Sequence, residues 1–219
     1  MKERERVTSW RIPGLVAWSV MIVLLAISMF LYPRDTGGVG YGFWRDFLCN
    51  LFDERTYAGR ENPGRWWAVV AFAVLGFTVF TALAEVAREH RRRWLERLGI
   101  VAGSGTLGIA LAVALHGGAI HGVLVLITGP AAIVGLFAAL RLQKEKNPIV
   151  FWIGVVTLLL ALGNLIQYAR QFALEAERWS GLPALQKLVT FGAFAWIALT
   201  LATTRPSSGE SSRFGDGLG

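Results

Sequence analysis

The segment that decides the fold of this chain is residues 98–140, LGIVAGSGTLGIALAVALHGGAIHGVLVLITGPAAIVGLFAAL, which contain no charged side chain. One α-helix needs about 20 apolar residues to cross a hydrocarbon core of roughly 30 Å, so this segment is about twice as long as one span requires. His116-Gly117-Gly118 lies near its middle, where a tight turn can reverse the chain. We therefore predict a hairpin of two membrane-spanning helices.

Four further charge-free blocks cover residues 12–33, 66–84, 147–169 and 188–204. With the hairpin they predict six helices, at about residues 13–32, 66–88, 99–116, 120–141, 148–177 and 183–203. Helices are expected because no water satisfies backbone groups inside a bilayer. The predicted fold class is all-α, a polytopic membrane protein with six transmembrane helices in one domain over residues 1–204. Residues 205–219, rich in Ser and Gly, are predicted to be a disordered cytoplasmic tail.

Composition supports a membrane protein and excludes other classes. Apolar residues make up 54% of the chain, more than one soluble domain of 219 residues normally buries. The net charge is +7, but the basic residues cluster beside apolar blocks and form no stripe interleaved with aromatic residues, so nucleic acid is not an expected partner. Cys49 is the only cysteine, which excludes an internal disulfide and a Cys-rich zinc site.

The distribution of charge predicts the topology. An even number of spans places both termini on one side, and cytoplasmic loops carry an excess of Lys and Arg. Most basic residues fall at the two termini and in the second and fourth loops: Lys2, Arg4, Arg6, Arg11, Arg88, Arg91, Arg92, Arg93, Arg97, Arg141, Lys144, Lys146, Arg205 and Arg213. We therefore expect a multi-pass protein of the bacterial inner membrane with cytoplasmic N- and C-termini.

The predicted outer loop between the first two spans has a distinctive pattern. From residue 43 to residue 53, apolar side chains follow helical spacing: Phe43, Trp44, Phe47, Leu48, Leu51 and Phe52. Polar side chains occupy the other positions, including Asp46, Asn50 and Asp53. This pattern predicts a short amphipathic helix in the membrane interface.

A candidate site follows from polar residues at the same predicted level. Asn164, Gln167, Tyr168, Gln171 and Glu175 share one face of the fifth helix. A polar face that enters a membrane must contact protein or water. His116 and His121 flank the hairpin turn at that level, and the segment with Asp46, Asn50 and Asp53 is joined to it by a short chain. We predict an outward-open pocket for a ligand, formed by Asp46, Asn50, Asp53, His116, His121, Asn164, Gln167 and Gln171.

Each of these residues also has an ordinary structural interpretation. His116 and His121 can simply cap a hairpin at the water interface. The amides of the fifth helix can form hydrogen bonds between helices, and the Asp residues can pair with nearby Arg side chains. His116 and His121 with two Asp carboxylates would supply enough ligands for zinc, but no spacing enforces such a site. The sequence supports no particular cofactor.

Residues 41–65, YGFWRDFLCNLFDERTYAGRENPGR, resemble the signature loop of six-span bacterial membrane proteins of unknown function, related loosely to the DRAM/Frag-type family. The likeness consists of an aromatic-rich segment, a polar pair and a Gly-x-x-Asn-Pro turn, matched here by Asp46, Asn50, Gly59, Asn62 and Pro63. A more distant likeness is to alkaline-ceramidase-like membrane metal hydrolases. Their pattern of three His and one Asp is not matched, because His90 is predicted on the cytoplasmic side.

Two functions are therefore expected. The first is an accessory or binding protein that engages a lipid-like ligand or a partner membrane protein through its outer face, as part of a membrane complex or alone. The alternative is a membrane-embedded enzyme that modifies lipid at the outer leaflet, with His116 or His121 as base or metal ligand. Membrane lipids and other membrane proteins are the expected partners.

Overall fold

The computed structural model describes residues 9–34, 40–56, 58–116, 118–174, 177 and 179–204. These residues form six α-helices and one short 3-10 helix, and no β-strand. The α-helices are α1 (Arg11–Leu31), α2 (Arg65–Glu89), α3 (Arg93–His116), α4 (Gly118–Gln143), α5 (Pro148–Ala173) and α6 (Leu182–Thr203). All six are long and apolar enough to cross a membrane. The predicted all-α class with six spanning helices is confirmed.

Several helix ends differ from the prediction. Helix α3 begins at Arg93, earlier than the predicted residue 99, and α5 ends at Ala173 rather than at residue 177. The turn before α3 is tight, since the Arg92 N–H bonds to the Ala87 carbonyl and Arg91 has a φ of 54°. Hydropathy marks only the part of a helix that lies in lipid. Charged residues at the interface continue α3 without leaving a hydropathy signal.

Helix α2 is central in the bundle. It packs against α1, α3, α4 and α6, and consecutive helices from α3 to α6 pack against one another. Contacts between α1 and α6 bring the first and last helices together. A close helix approach joins Gly76 of α2 to Gly103 of α3, because a Cβ atom built on Gly76 would lie 2.3 Å from the Gly103 carbonyl oxygen. Small residues at both positions are what permit this backbone contact.

One end of the bundle is held by charged side chains, and we call it the Lys146 end. Lys146 pairs with Glu89 at 2.6 Å, which links the start of α5 to the end of α2. The Arg11 guanidinium donates to the carbonyls of Leu201 and Ala202 at 2.9 and 2.8 Å, which links α1 to α6. These contacts place the start of α1 and the ends of α2 and α6 at the same end of the bundle.

Glu85 of α2 is fully buried near the Lys146 end. Its carboxylate accepts hydrogen bonds from the Trp10 backbone N–H and the Ser9 hydroxyl, and it pairs with Arg88. The chain before α1 is therefore fastened to α2 through one carboxylate. A buried charge of this kind is retained only where several donors compensate its lost hydration.

The predicted interfacial helix over residues 43–53 is shorter than expected. The chain forms a turn after Gly42, whose carbonyl accepts from Arg45 and Asp46, and then the 3-10 helix Leu48–Phe52. This helix packs against α2, α3 and α6 and buries Leu48, Leu51 and Phe52. Asn50, expected on the polar face, is buried too. Contacts with the bundle, rather than amphipathic periodicity, determine this local conformation.

The predicted hairpin lies where expected, since α3 ends at His116 and α4 begins at Gly118. Residues 205–219, the predicted tail, fall outside the part of the chain that the structure describes. We call the end of the bundle opposite to Lys146 the Lys187 end. It carries the segment of residues 40–56, which we call the docked loop.

Candidate functional site

Lys187 of α6 is the buried cation of the Lys187 end, with only 1% of its surface exposed. Its ammonium donates a hydrogen bond to the Asp46 backbone carbonyl. It also lies 5.4 Å from the ring centroid of Tyr41 and 5.6 Å from that of Phe43. The Asp46 carboxylate bonds instead to the Gly42 N–H at 2.7 Å. Within the described residues, no carboxylate forms an ion pair with Lys187.

This arrangement compensates the ammonium only in part. A buried charge loses its hydration, and an aromatic face returns about 2 kcal/mol or somewhat more to a desolvated cation, which is less than the hydration that was lost. One carbonyl and two rings therefore leave the Lys187 ammonium without a directly paired anion among the described residues. The Tyr41 hydroxyl is itself buried, and burial raises its pKa, so Tyr41 is neutral and adds no compensating charge.

The residue before Lys187 fastens the docked loop at a second point. The Gln186 side-chain oxygen accepts the Leu48 N–H at 2.9 Å. Phe43 stacks on Phe191 of α6, with the ring centroids 5.7 Å apart. The loop thus lies on α6 through consecutive polar anchors and one aromatic contact.

Below the docked loop, an apolar groove of about 170 Å³ lies between α1 and α6. Ile22, Leu25, Ala26 and Met29 line it from α1, and Lys187, Thr190, Phe191 and Phe194 line it from α6, with Phe43 and Leu48 of the loop. The Thr190 hydroxyl donates to the Gln186 carbonyl at 2.8 Å, so its proton is not available to a ligand. A water molecule takes about 30 Å³ in the liquid, so the groove has room for a short length of hydrocarbon.

Two of the predicted amides lie in a different cavity. Gln167 and Gln171 line a polar cavity of about 230 Å³ together with Arg170, Glu177, Trp179 and Leu182. The Gln171 side-chain oxygen is buried and has no hydrogen-bond partner in the described part of the chain. Asn164 is partly buried on the same face of α5. This face is therefore partly covered by protein, whereas Leu162 and Ile166 of the same helix are exposed.

The acidic and amide residues of the docked loop serve the loop itself. The Asp46 carboxylate closes the turn at Gly42, and Asn50 is buried in the 3-10 helix. Burial raises the pKa of Asp53, whose backbone carbonyl accepts a hydrogen bond from the Asn62 amide at 3.1 Å. These contacts order the loop.

Of the predicted pocket residues, Gln167 and Gln171 share one cavity, and Asp46, Asn50 and Asp53 do not line it. Tyr168 of α5 lies near Cys49 of the docked loop, so this part of α5 is close to that loop. His116 and His121 belong to α3 and α4, but their side chains lie outside the described residues. Their place in a shared pocket stays a prediction. Among the described side chains, no three His, Cys, Asp or Glu residues lie close enough to hold a metal ion.

Sequence reasoning missed Lys187 and its aromatic contacts. Lys187 directly precedes the charge-free block of residues 188–204, so a search for uncharged segments does not include it. The predicted sixth helix, residues 183–203, already contained Lys187, but nothing in the sequence indicated that its ammonium is buried. No local spacing pairs Tyr41 or Phe43 with a lysine so far along the chain.

The six spanning helices and the loop fastened on them define a polytopic α-helical membrane protein. No protein-family model matches the sequence, and no curated protein or solved structure shows significant similarity to it. The resemblance of residues 41–65 to the six-span bacterial group stays a prediction.

Proposed function

We propose that this protein resides in the bacterial inner membrane, with both termini in the cytoplasm, and binds a lipid-like ligand at its outer face. The observation that carries this proposal is the apolar groove between α1 and α6, closed at one end by the loop that Lys187 fastens. In a bilayer, the acyl chains of lipids surround membrane-spanning helices such as α1 and α6. A groove walled by such helices is therefore accessible to them.

The polar part of the ligand would lie against the docked loop. Lys187, at the loop end, is the lining residue among those described that keeps N–H donors for a ligand, so specificity for a head group must come from that end. The local charge is positive, because Lys187 and the exposed Arg45 supply two cations on this side and the Asp46 carboxylate of the same turn supplies one anion. An anionic amphiphile, such as an acidic phospholipid, satisfies both features. The lipid-modifying enzyme stays the alternative prediction, resting on His116 and His121.

The proposal is tested with a phosphatidylglycerol that carries a photoactivatable diazirine in one acyl chain, added to protein in vesicles of otherwise unlabelled lipid. Residues of α1 and α6 that line the groove should be labelled more strongly than the lipid-exposed face of α4. Ala26→Trp, which fills the groove, should remove that excess. Val23→Trp, on the exposed face of the same helix, should keep it. Equal labelling of all faces, or of both variants, would overturn the proposal.

A further inference from the structure

A third cavity lies at the Lys146 end of the bundle, and its lining differs from that of the groove and of the cavity at Gln171. It has a volume of about 560 Å³ and is lined by Glu89, Gln143, Lys146, Asn147, Thr203 and Thr204. These residues come from the ends of α2, α4 and α6 and from the start of α5. Every lining residue carries a polar group, and the cavity lies at the opposite end of the bundle from the groove.

Gln143 is the residue that marks this cavity as a binding site. Only 6% of its surface is exposed, yet its side-chain oxygen has no hydrogen-bond partner among the described residues. Gln143 also lines the cavity. A buried amide oxygen without a donor costs free energy, so a ligand that brings an N–H group into the cavity would recover it.

The two threonine hydroxyls of the lining have no hydrogen left to donate to a ligand. The Thr203 hydroxyl donates to the Leu199 carbonyl at 2.7 Å, and the Thr204 hydroxyl donates to the Thr200 carbonyl. Both hydroxyl oxygens can therefore only accept from a ligand. Glu89 adds a carboxylate, which holds Lys146 at 2.6 Å. Three kinds of acceptor thus face one cavity.

Donors are found on the α5 side of the cavity. The Asn147 oxygen caps α5 by accepting the Val150 N–H at 3.2 Å, which leaves its NH₂ group as a donor. Lys146 is half-exposed and keeps N–H groups beyond its bond to Glu89. Arg141 and Lys144 are exposed and close to Lys146 in the sequence, and together with Lys146 they outnumber the exposed Glu145. This side favours an anionic group of the ligand.

We infer that the cavity binds a phosphoethanolamine group, with its primary ammonium at Gln143, Glu89 and the Thr hydroxyls and its phosphate at Lys146 and Asn147. A primary ammonium carries three N–H donors, whereas the trimethylated ammonium of phosphocholine carries none. The volume exceeds what an ammonium alone would fill. Either the head group of phosphatidylethanolamine or free phosphoethanolamine could supply this chemistry. The inference does not rest on the proposed function of the groove.

The test measures the thermal unfolding midpoint of the full-length protein in detergent as lipid is added. Phosphatidylethanolamine should raise the midpoint with about tenfold tighter apparent affinity than phosphatidylcholine with the same acyl chains, because only the former donates hydrogen bonds. Free phosphoethanolamine identifies the source. If millimolar amounts reproduce the shift, the ligand is the soluble compound, and if they do not, it is the lipid.

Variants make the result specific to this cavity. Gln143→Leu and Glu89→Gln should each abolish the preference for phosphatidylethanolamine, and Glu89→Gln retains the shape of the side chain. Lys144→Gln, an exposed neighbour that does not line the cavity, should keep the preference. Ala26→Trp in the groove should keep it too. Equal affinity for the two lipids, or a preference that survives both cavity variants, would overturn the inference.

Discussion

The ammonium of Lys187, near the start of the last helix, lies 5.4 Å from the ring centroid of Tyr41 in the loop after the first helix. Two segments far apart in the sequence are thus joined by a buried charge and an aromatic face. The same ammonium donates to the Asp46 carbonyl, so the loop is held by groups that water would otherwise solvate. The integrity of the groove below the loop depends on this contact.

Lys187→Met should release the docked loop. The change removes the donor to Asp46 and the cation over Tyr41, a loss of about 1–3 kcal/mol in local stability. Cys49 lies in this loop and is partly buried, so its rate of reaction with a thiol reagent reports loop opening. We expect a rate increase of about tenfold or more.

Leu188→Met is the matched control for this experiment, since Leu188 is exposed on the same helix and should leave Cys49 labelling unchanged. An unchanged rate in Lys187→Met would mean that the apolar contacts of Leu48 and Leu51 hold the loop without the lysine.

Glu85→Ala should destabilise the whole protein. Glu85 is fully buried, and its loss leaves Arg88 and the Trp10 N–H without their partner. Removing one member of a buried ion pair typically costs about 3–5 kcal/mol. The exposed Glu54, paired with Arg65 at 3.3 Å, is the control, and Glu54→Ala should cost less than about 1 kcal/mol. Unfolding in a denaturing detergent measures the free energy lost by each variant. Similar losses would show that the buried ion pair of Glu85 stabilises the protein no more than the exposed one of Glu54.

The number and type of the helices were predictable because each span must bury about 20 apolar residues in lipid. An apolar segment of that length is a local feature, so it can be recognised in a single sequence. Glu85 and Lys187 were not predictable by the same rule, since each lies just outside a charge-free block and yet inside a helix. Their burial depends on donors and rings from other segments. No local pattern records such contacts.

Gly103→Ala should weaken the contact between α2 and α3. A Cβ atom at this position would lie 2.5 Å from the Gly76 carbonyl oxygen, so the two helices would have to separate. We expect a loss of roughly 1–3 kcal/mol, the usual cost of overpacking. Gly163→Ala is the control, because a Cβ there meets no atom within 4 Å and Ala favours helix. If the two variants lose the same free energy of unfolding, α2 and α3 do not make a close contact at Gly103.

The candidate sites were predictable only in part. The polar face of α5 was visible in the sequence, because residues at helical spacing share a face whatever surrounds them. The cavity at Gln143 was not visible, since its lining comes from four helix ends that meet only in the folded bundle. The groove was invisible for a related reason. Its apolar lining is indistinguishable in sequence from lipid-facing residues.

Cysteines at Glu61 and Lys144, in a Cys49→Ser background, should be labelled by an impermeant thiol reagent from opposite sides of the membrane. Both positions are exposed, whereas Thr56 in the same loop is buried and would report poorly. The clustered basic residues predict that Lys144 is cytoplasmic. Labelling of Glu61→Cys in intact cells and of Lys144→Cys only after lysis is the expected result. The reverse pattern would invert the topology, and labelling of both in intact cells would contradict six spans.

The stability of the Lys146 end should depend on pH through His90. Burial lowers the pKa of His90 below its ordinary value near 6.5, and the neighbouring Lys146 lowers it further. Its Nε2 atom is buried without a partner among the described residues. Of the other nearby charges, Glu89 opposes this shift and Arg92 adds to it.

The direction of the effect follows from which state binds the proton. Below about pH 6.5 the unfolded chain protonates His90 while the folded protein keeps it neutral, so stability falls as the pH is lowered through this window. Above this pH window His90 is neutral in both the folded and the unfolded state, so it no longer makes stability depend on pH. His90→Gln should therefore show a smaller drop in unfolding midpoint between pH 7.5 and pH 5.5 than the unmodified protein. Arg91→Gln, an exposed neighbour, should keep the full drop. Equal drops in the unmodified protein and His90→Gln would exclude His90 as the group responsible.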